Sequence, residues 1–185
     1  LLQEDTEVEL KMDPVEDKKS LFGRLLGSSG PTKLKIAFVY ERTAESSAWT
    51  YAHELGRMHL EQAFPEEVTT IYYDNVTIEN ISDILEKAVA EGCNIIFTTT
   101  PAFAADSVKA AIAHPDVKIL NCSLNTSHRY IRTYYTRMHE AKFLMGAIAG
   151  AMAENGQLAY IADYPIFGTI ANINAFALGA KMVNP

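Results

Sequence analysis

Three consecutive runs, NIIFTTT (94–100), PAFAADSVKAAIAH (101–114) and VKILNC (117–122), decide the fold. The first is an unbroken apolar run of strand length. The second has apolar residues at helical spacing and starts with Pro101, where a missing N–H costs nothing. The third is another apolar strand. A strand, a helix and a second strand, with both strands apolar throughout, make a βαβ unit in a sheet covered on both faces.

The same alternation extends in both directions. LKIAFVY (34–40) and VTTIYY (68–73) read as strands, with a helix over 48–64 between them. ENISDILEKAVAEG (79–92) reads as a helix stopped by Gly92. Beyond the opening unit, YIRTYYT (130–136) predicts a fifth strand and RMHEAKFLMGAIAGAMAE (137–154) a long helix. QLAYIA (157–162) predicts a sixth strand and residues 168–183 a last helix. The fold class is therefore α/β, a Rossmann-like parallel sheet with helices on both faces and right-handed crossovers.

Residues 1–33 differ from the rest. They are charged, contain DPVEDKK, end in GSSGPTK, and read as a linker or tail, mostly mobile. FLMGAIAGAMA (143–153) is about half the length that spans a bilayer. It reads as a buried helix, with Gly146 and Gly150 letting it lie close against a sheet. The chain starts LLQEDTEVEL, with no initiator Met or apolar leader, and so reads as a piece excised from something longer.

Composition narrows the function classes. The 16 Lys and Arg against 23 Asp and Glu give a formal charge of −7, which argues against a nucleic-acid or anionic-lipid surface. Cys93 and Cys122 lie in apolar runs and read as buried free thiols, with a disulfide left open. His53 and His59 are six apart and do not share a helix face, so no metal site is expected. No cofactor motif is present. The loop after the first strand, ERTAESSA, is neither a dinucleotide fingerprint nor a Walker loop.

In parallel sheets, ligands bind beyond the carboxyl ends of the strands. Here those ends carry Ser46 and Ser47, either of which can cap the following helix, and Trp49, the single tryptophan. They also carry Thr98, Thr99 and Thr100, then Phe103, and finally Tyr164 and Phe167. Aromatic faces beside hydroxyls suit a flat heterocycle. The same residues could equally be packing, and the pattern leaves Trp49 open between the two roles. Glu45, Glu54, Asp106, His139 and Glu140 are titratable but show no nucleophile–base spacing, so no enzyme is expected.

Several blocks resemble a known family. They are KIAFVYERTAESSAWTYAHELGRMHLEQAF, NIIFTTTPAF, HPDVKILNC, TYYTRMHEAKFLMGAIAG and YPIFGTIANINAFALGAKMVNP, covering roughly residues 35–185. They look like the basic membrane protein family, PnrA-like substrate-binding proteins that deliver purine nucleosides or related ligands to ABC transporters. The resemblance implies a type I periplasmic-binding-protein fold, two hinged α/β lobes with the ligand between them. Residues 34–156 would be the first lobe and 157–185 the first strand and helix of the second, so the chain stops within that lobe.

It further implies that Trp49 stacks on a purine ring, with Phe103 and Tyr164 at further positions of the site; with Ser46, Ser47 and Thr99 from the strand ends they make up the expected ligand set. Relatives often carry acidic residues where this chain has Ser46, Ala105 and Gly168, so carboxylate acceptors are missing here. The implied partners are a purine base or nucleoside, an ABC permease and the remainder of the second lobe, with no nucleic acid. The implied location is the extracytoplasmic face of the plasma membrane. With no signal peptide or lipobox in view, a cytoplasmic ligand-sensing domain fused to another module is the alternative. A nucleoside- or sugar-acting enzyme ranks third.

Overall fold

A computed structural model describes residues 33–123, 129–162 and 167–185. The expected linker at 1–32 lies outside them. Five strands form one parallel sheet: β1 (Leu34–Val39), β2 (Val68–Tyr73), β3 (Ile95–Thr98), β4 (Lys118–Cys122) and β5 (Arg132–Tyr134). Their order is β2-β1-β3-β4-β5. The chain steps one way from β1 to β2 and then back past β1 to β3. The topological switch point therefore lies between β1 and β3, where sheets of this kind open a crevice.

The helices are α1 (Ala48–Ala63), α2 (Ile81–Ala90), α3 (Ala104–Ala113), α4 (Met138–Met152) and α5 (Phe167–Val183), with a 3-10 turn at Pro101–Phe103 before α3. Alternate residues of each strand point to opposite faces. On one face Ile36, Phe38 and Tyr40 pack with Phe97 and with Leu60 and Phe64 at the end of α1. On the other, Ala37, Val39, Ile96 and Ile119 pack with Ile81 and Leu85 of α2 and Ala110 and Ala111 of α3. This two-sided burial is why the strands read as continuous apolar runs. The stop signal at Gly92 is real. The residue sits at φ +82, which glycine adopts without a Cβ penalty, and its N–H returns to the Val89 carbonyl at 2.9 Å. Cys93 and Cys122 are buried and free.

Two expectations are corrected. Residues 157–162 form no strand. A strand needs a neighbour for its backbone groups, and no described segment pairs with this one. The long helix α4 is not buried against the sheet. It packs on α5, and its outer face is open, with Leu144 63% and Met152 76% exposed. Gly146 and Gly150 serve that helix–helix contact instead. A Cβ on Gly146 would collide with the Phe176 carbonyl of α5, and one on Gly150 would come 2.7 Å from the Ala180 carbonyl oxygen. Gly179 of α5 answers them by running against the Phe143 carbonyl. Small residues on both helices let the two backbones approach until they touch.

Candidate ligand-binding site

The site is built at the switch point. β1 ends at Val39, and its next residue, Tyr40, is buried. The loop that follows is tied by Thr43, whose Oγ1 donates to Ser46 Oγ at 3.0 Å and accepts from the Ser46 N–H at 3.3 Å. Ser47 then caps α1 from an extended backbone (φ −143), accepting from the Thr50 N–H at 3.2 Å. Trp49 follows in the first turn of α1. Its Nε1–H donates to the Thr99 carbonyl at 2.8 Å, bridging the carboxyl ends of β1 and β3. Thr99 is itself anchored, its hydroxyl donating to the Val39 carbonyl at 2.9 Å. The indole is thus pinned by its edge across the switch point and stays partly exposed.

Around the indole stands an aromatic cluster. The His53 ring centroid is 5.2 Å away at 59°, and that of Tyr135, just beyond β5, 6.1 Å away at 40°. His53 also meets Tyr134 edge-on at 6.0 Å, and Tyr134 stands edge-on to Phe97 of β3 at 5.6 Å. His53 Nδ1 lies 2.9 Å from the Trp49 carbonyl, one helical turn back. Burial lowers the His53 pKa from its ordinary 6.5, outweighing the opposing carbonyl contact, so the ring is neutral at pH 7. Burial likewise raises the pKa values of the neighbouring Tyr134 hydroxyl and of the Cys122 thiol, the latter to about 11, keeping both protonated.

The expected site residues separate. Ser47, Trp49 and Thr99 come together, with Ser46 on the adjoining loop. Thr99 offers its carbonyl to Trp49, while its hydroxyl is used up inside. The Thr98 hydroxyl is likewise internal, 2.9 Å from Ser107 Oγ and accepting from Asn121 Nδ2 at 2.8 Å. Phe103 is a correction. It is 1% exposed and joins the core beside Val39 and Ile96, because the 3-10 turn carries its ring inward instead of leaving it on the rim. Tyr164 lies outside the described residues. The sequence reading missed His53, Tyr134 and Tyr135. The first was signalled by its i, i+4 spacing from Trp49 and the others by their place at the end of the last parallel strand.

Glu54, a candidate acid by sequence, is a brace. It accepts from Arg57 Nη2 at 2.5 Å and Arg57 Nε at 2.8 Å, and from the Tyr40 hydroxyl at 3.0 Å. Hydrogen bonding by Arg57 holds its carboxyl below the usual range. Asp106 pairs with Lys109 and Glu140 with Arg137 on their own helices. Among the described residues no group of three or more His, Cys, Asp or Glu could hold a metal ion, and no helix is long and apolar enough to cross a membrane.

Comparison with known proteins agrees with this fold. The family model of PnrA-like ABC transporter substrate-binding proteins matches residues 33–185. A purine-binding protein of Brucella abortus is 32% identical over 166 residues, covering 88% of this chain and 47% of its own length. A putative ABC transporter glucose-binding protein of Haloferax volcanii is 26% identical over 159 residues, covering 86% of this chain and 40% of its own. The chain thus spans less than half the length of these two relatives. Among solved structures, a solute-binding protein of an Aeropyrum pernix ABC transporter superposes with a TM-score of 0.66 at 17% identity, over 81% of this chain and 43% of that one. The parallel sheet and its helices are those of the type I periplasmic-binding-protein fold. With a family match that runs from just before β1 to the last residue, the chain belongs to the PnrA-like family of ABC transporter substrate-binding proteins.

Proposed function

We propose that the chain is the switch-point half of a non-enzymatic binding module for a purine base or nucleoside, in an ABC-type uptake system. One observation carries the reading. Trp49 is tied by its Nε1–H to the Thr99 carbonyl, so its ring is held at the carboxyl edge of the sheet with no rotamer search left to make. A fixed aromatic face loses little entropy when a flat ring stacks on it. The similarity to a purine-binding protein supports a heterocycle as that ring. Of the expected ligand set, Ser46, Ser47, Trp49, Thr99, Phe103 and Tyr164, this reading takes Trp49 as the stacking surface with Ser46 and Ser47 beside it, while Tyr164 lies outside the described residues. The second wall of the cleft comes from the second lobe, and closure of the two lobes is the event that a permease reads at the extracytoplasmic face of the membrane.

The test is a thermal-shift screen of the full-length protein against adenine, guanine, adenosine, guanosine, inosine and glucose. Trp49→Ala is screened in parallel. A rise in melting temperature with a purine, lost in Trp49→Ala, is the expected result. A rise with glucose alone, or one that Trp49→Ala leaves intact, contradicts the reading.

A further inference from the structure

We propose that His53 reads the edge of the ligand, its Nε2 accepting a hydrogen bond from an N–H of the heterocycle stacked on Trp49. The inference rests on the stacking reading above and adds the residue that would choose among flat rings. Stacking alone discriminates poorly, because every base has a π-face. Choice comes from a polar group that only one ligand edge can satisfy.

The geometry fixes the tautomer. Nδ1 lies 2.9 Å from the Trp49 carbonyl, and a carbonyl only accepts. Nδ1 therefore carries the proton, and in the neutral ring Nε2 holds a bare lone pair. Among the described residues Nε2 makes no hydrogen bond. The imidazole is inclined 59° to the indole at a centroid distance of 5.2 Å, so the two rings do not stack face to face. A ring stacked about 3.5 Å above the indole brings an overhanging amine or ring N–H toward an acceptor on an imidazole whose centroid is 5.2 Å from the indole. Among the described residues, the aromatic rings that meet His53 are Trp49 on its own helix and Tyr134 on β5, both uncharged at neutral pH. The next charges along α1, Glu54 and Arg57, are paired with each other. Nothing on these elements competes for the lone pair or forces it to protonate. The ligand class this selects is a purine with a donor edge, as in adenosine, guanosine or inosine.

The test compares those three nucleosides with purine riboside, which stacks alike but carries no N–H on its base. Calorimetric titration of the full-length protein at pH 7.5 is the readout. Wild type is expected to prefer at least one donor-bearing nucleoside over purine riboside by about tenfold. His53→Phe keeps a ring in the cluster and should erase that preference. His53→Gln, whose amide oxygen can accept, should restore much of it. For wild type the preference should also shrink as pH falls well below 6.5, as Nε2 gains a proton, and in His53→Gln it should not. Equal weakening of all four ligands in His53→Phe would make His53 a packing residue and overturn the proposal. So would an unchanged preference in that variant; if Trp49→Ala then still abolishes binding, the stacking reading survives alone. Absence of nucleoside binding by wild type overturns this proposal, and the thermal-shift result with adenine and guanine then decides the stacking reading separately.

Discussion

Trp49 and His53 show how much one helical turn can carry. The Ser47 cap starts α1, so the residue two places on faces the switch point and the residue four beyond that packs tilted beside it. The run WTYAH holds this spacing openly, but its meaning needs the sheet order, which no residue states. Thr99 and Phe103 are the opposite case. Both sit at a strand end in sequence, yet one hydroxyl is consumed by the Val39 carbonyl and one ring is turned into the core. Side-chain direction after a strand depends on the turn that follows, and a 3-10 turn is hard to tell from the first turn of an α-helix by pattern. The residue scale also yields a stability prediction. The folded-state pKa of His53 is depressed below 6.5, so the unfolded chain takes up its proton first as pH falls. Stability from this group is fully present above pH 6.5 and is lost as pH drops below it toward the folded value. Urea unfolding from about pH 7.5 to 5 should show a decline that His53→Gln reduces; an identical decline in that variant would sink the assignment.

At the scale of elements, α1 protects as well as positions. β2 is an edge strand of VTTIYY, an uncharged β-branched and aromatic run of the kind that invites pairing with another chain. Two of its outward N–H groups are already taken. That of Val68 reaches the Phe64 carbonyl at 3.0 Å, and that of Thr70 reaches Glu61 Oε1 at 3.0 Å. Glu61 also accepts from the Thr70 hydroxyl at 2.6 Å, while Arg57 donates to that hydroxyl at 2.6 Å and lies over the Tyr72 ring. The Glu61 carboxylate stands where a neighbouring strand would offer a carbonyl. Glu61→Ala should leave the fold intact and produce concentration-dependent self-association. Sedimentation velocity over a hundredfold concentration range checks this, and an unchanged monomer fraction would count against the role. The strands and helices of the sheet layer were legible from apolar runs and Gly92. This side-chain cap was not, because Glu61 and Thr70 are nine apart and meet only after α1 folds back on β2.

For the whole molecule, the close packing of α4 on α5 suggests a different division of the chain, which we propose. The family resemblance puts the end of the first lobe at residue 156. The glycines of α4 instead match those of α5, and its apolar face is left open beside it. A stripe of small residues reads as close packing but does not name the partner. We therefore propose a lobe boundary between β5 and α4, around residues 135–137. Limited proteolysis of the full-length protein should cut there before it cuts at 153–157, and the reverse order would restore the earlier boundary. Above this sits the claim that Trp49 is the stacking surface of a ligand cleft at the switch point. Its most direct test is the indole fluorescence of the full-length protein during a nucleoside titration, read as the difference between wild type and Trp49→Phe. The account predicts saturable quenching in wild type with the same midpoint as calorimetric binding, and none of that component in Trp49→Phe. Calorimetric binding with no change in the emission assigned to Trp49 would contradict it.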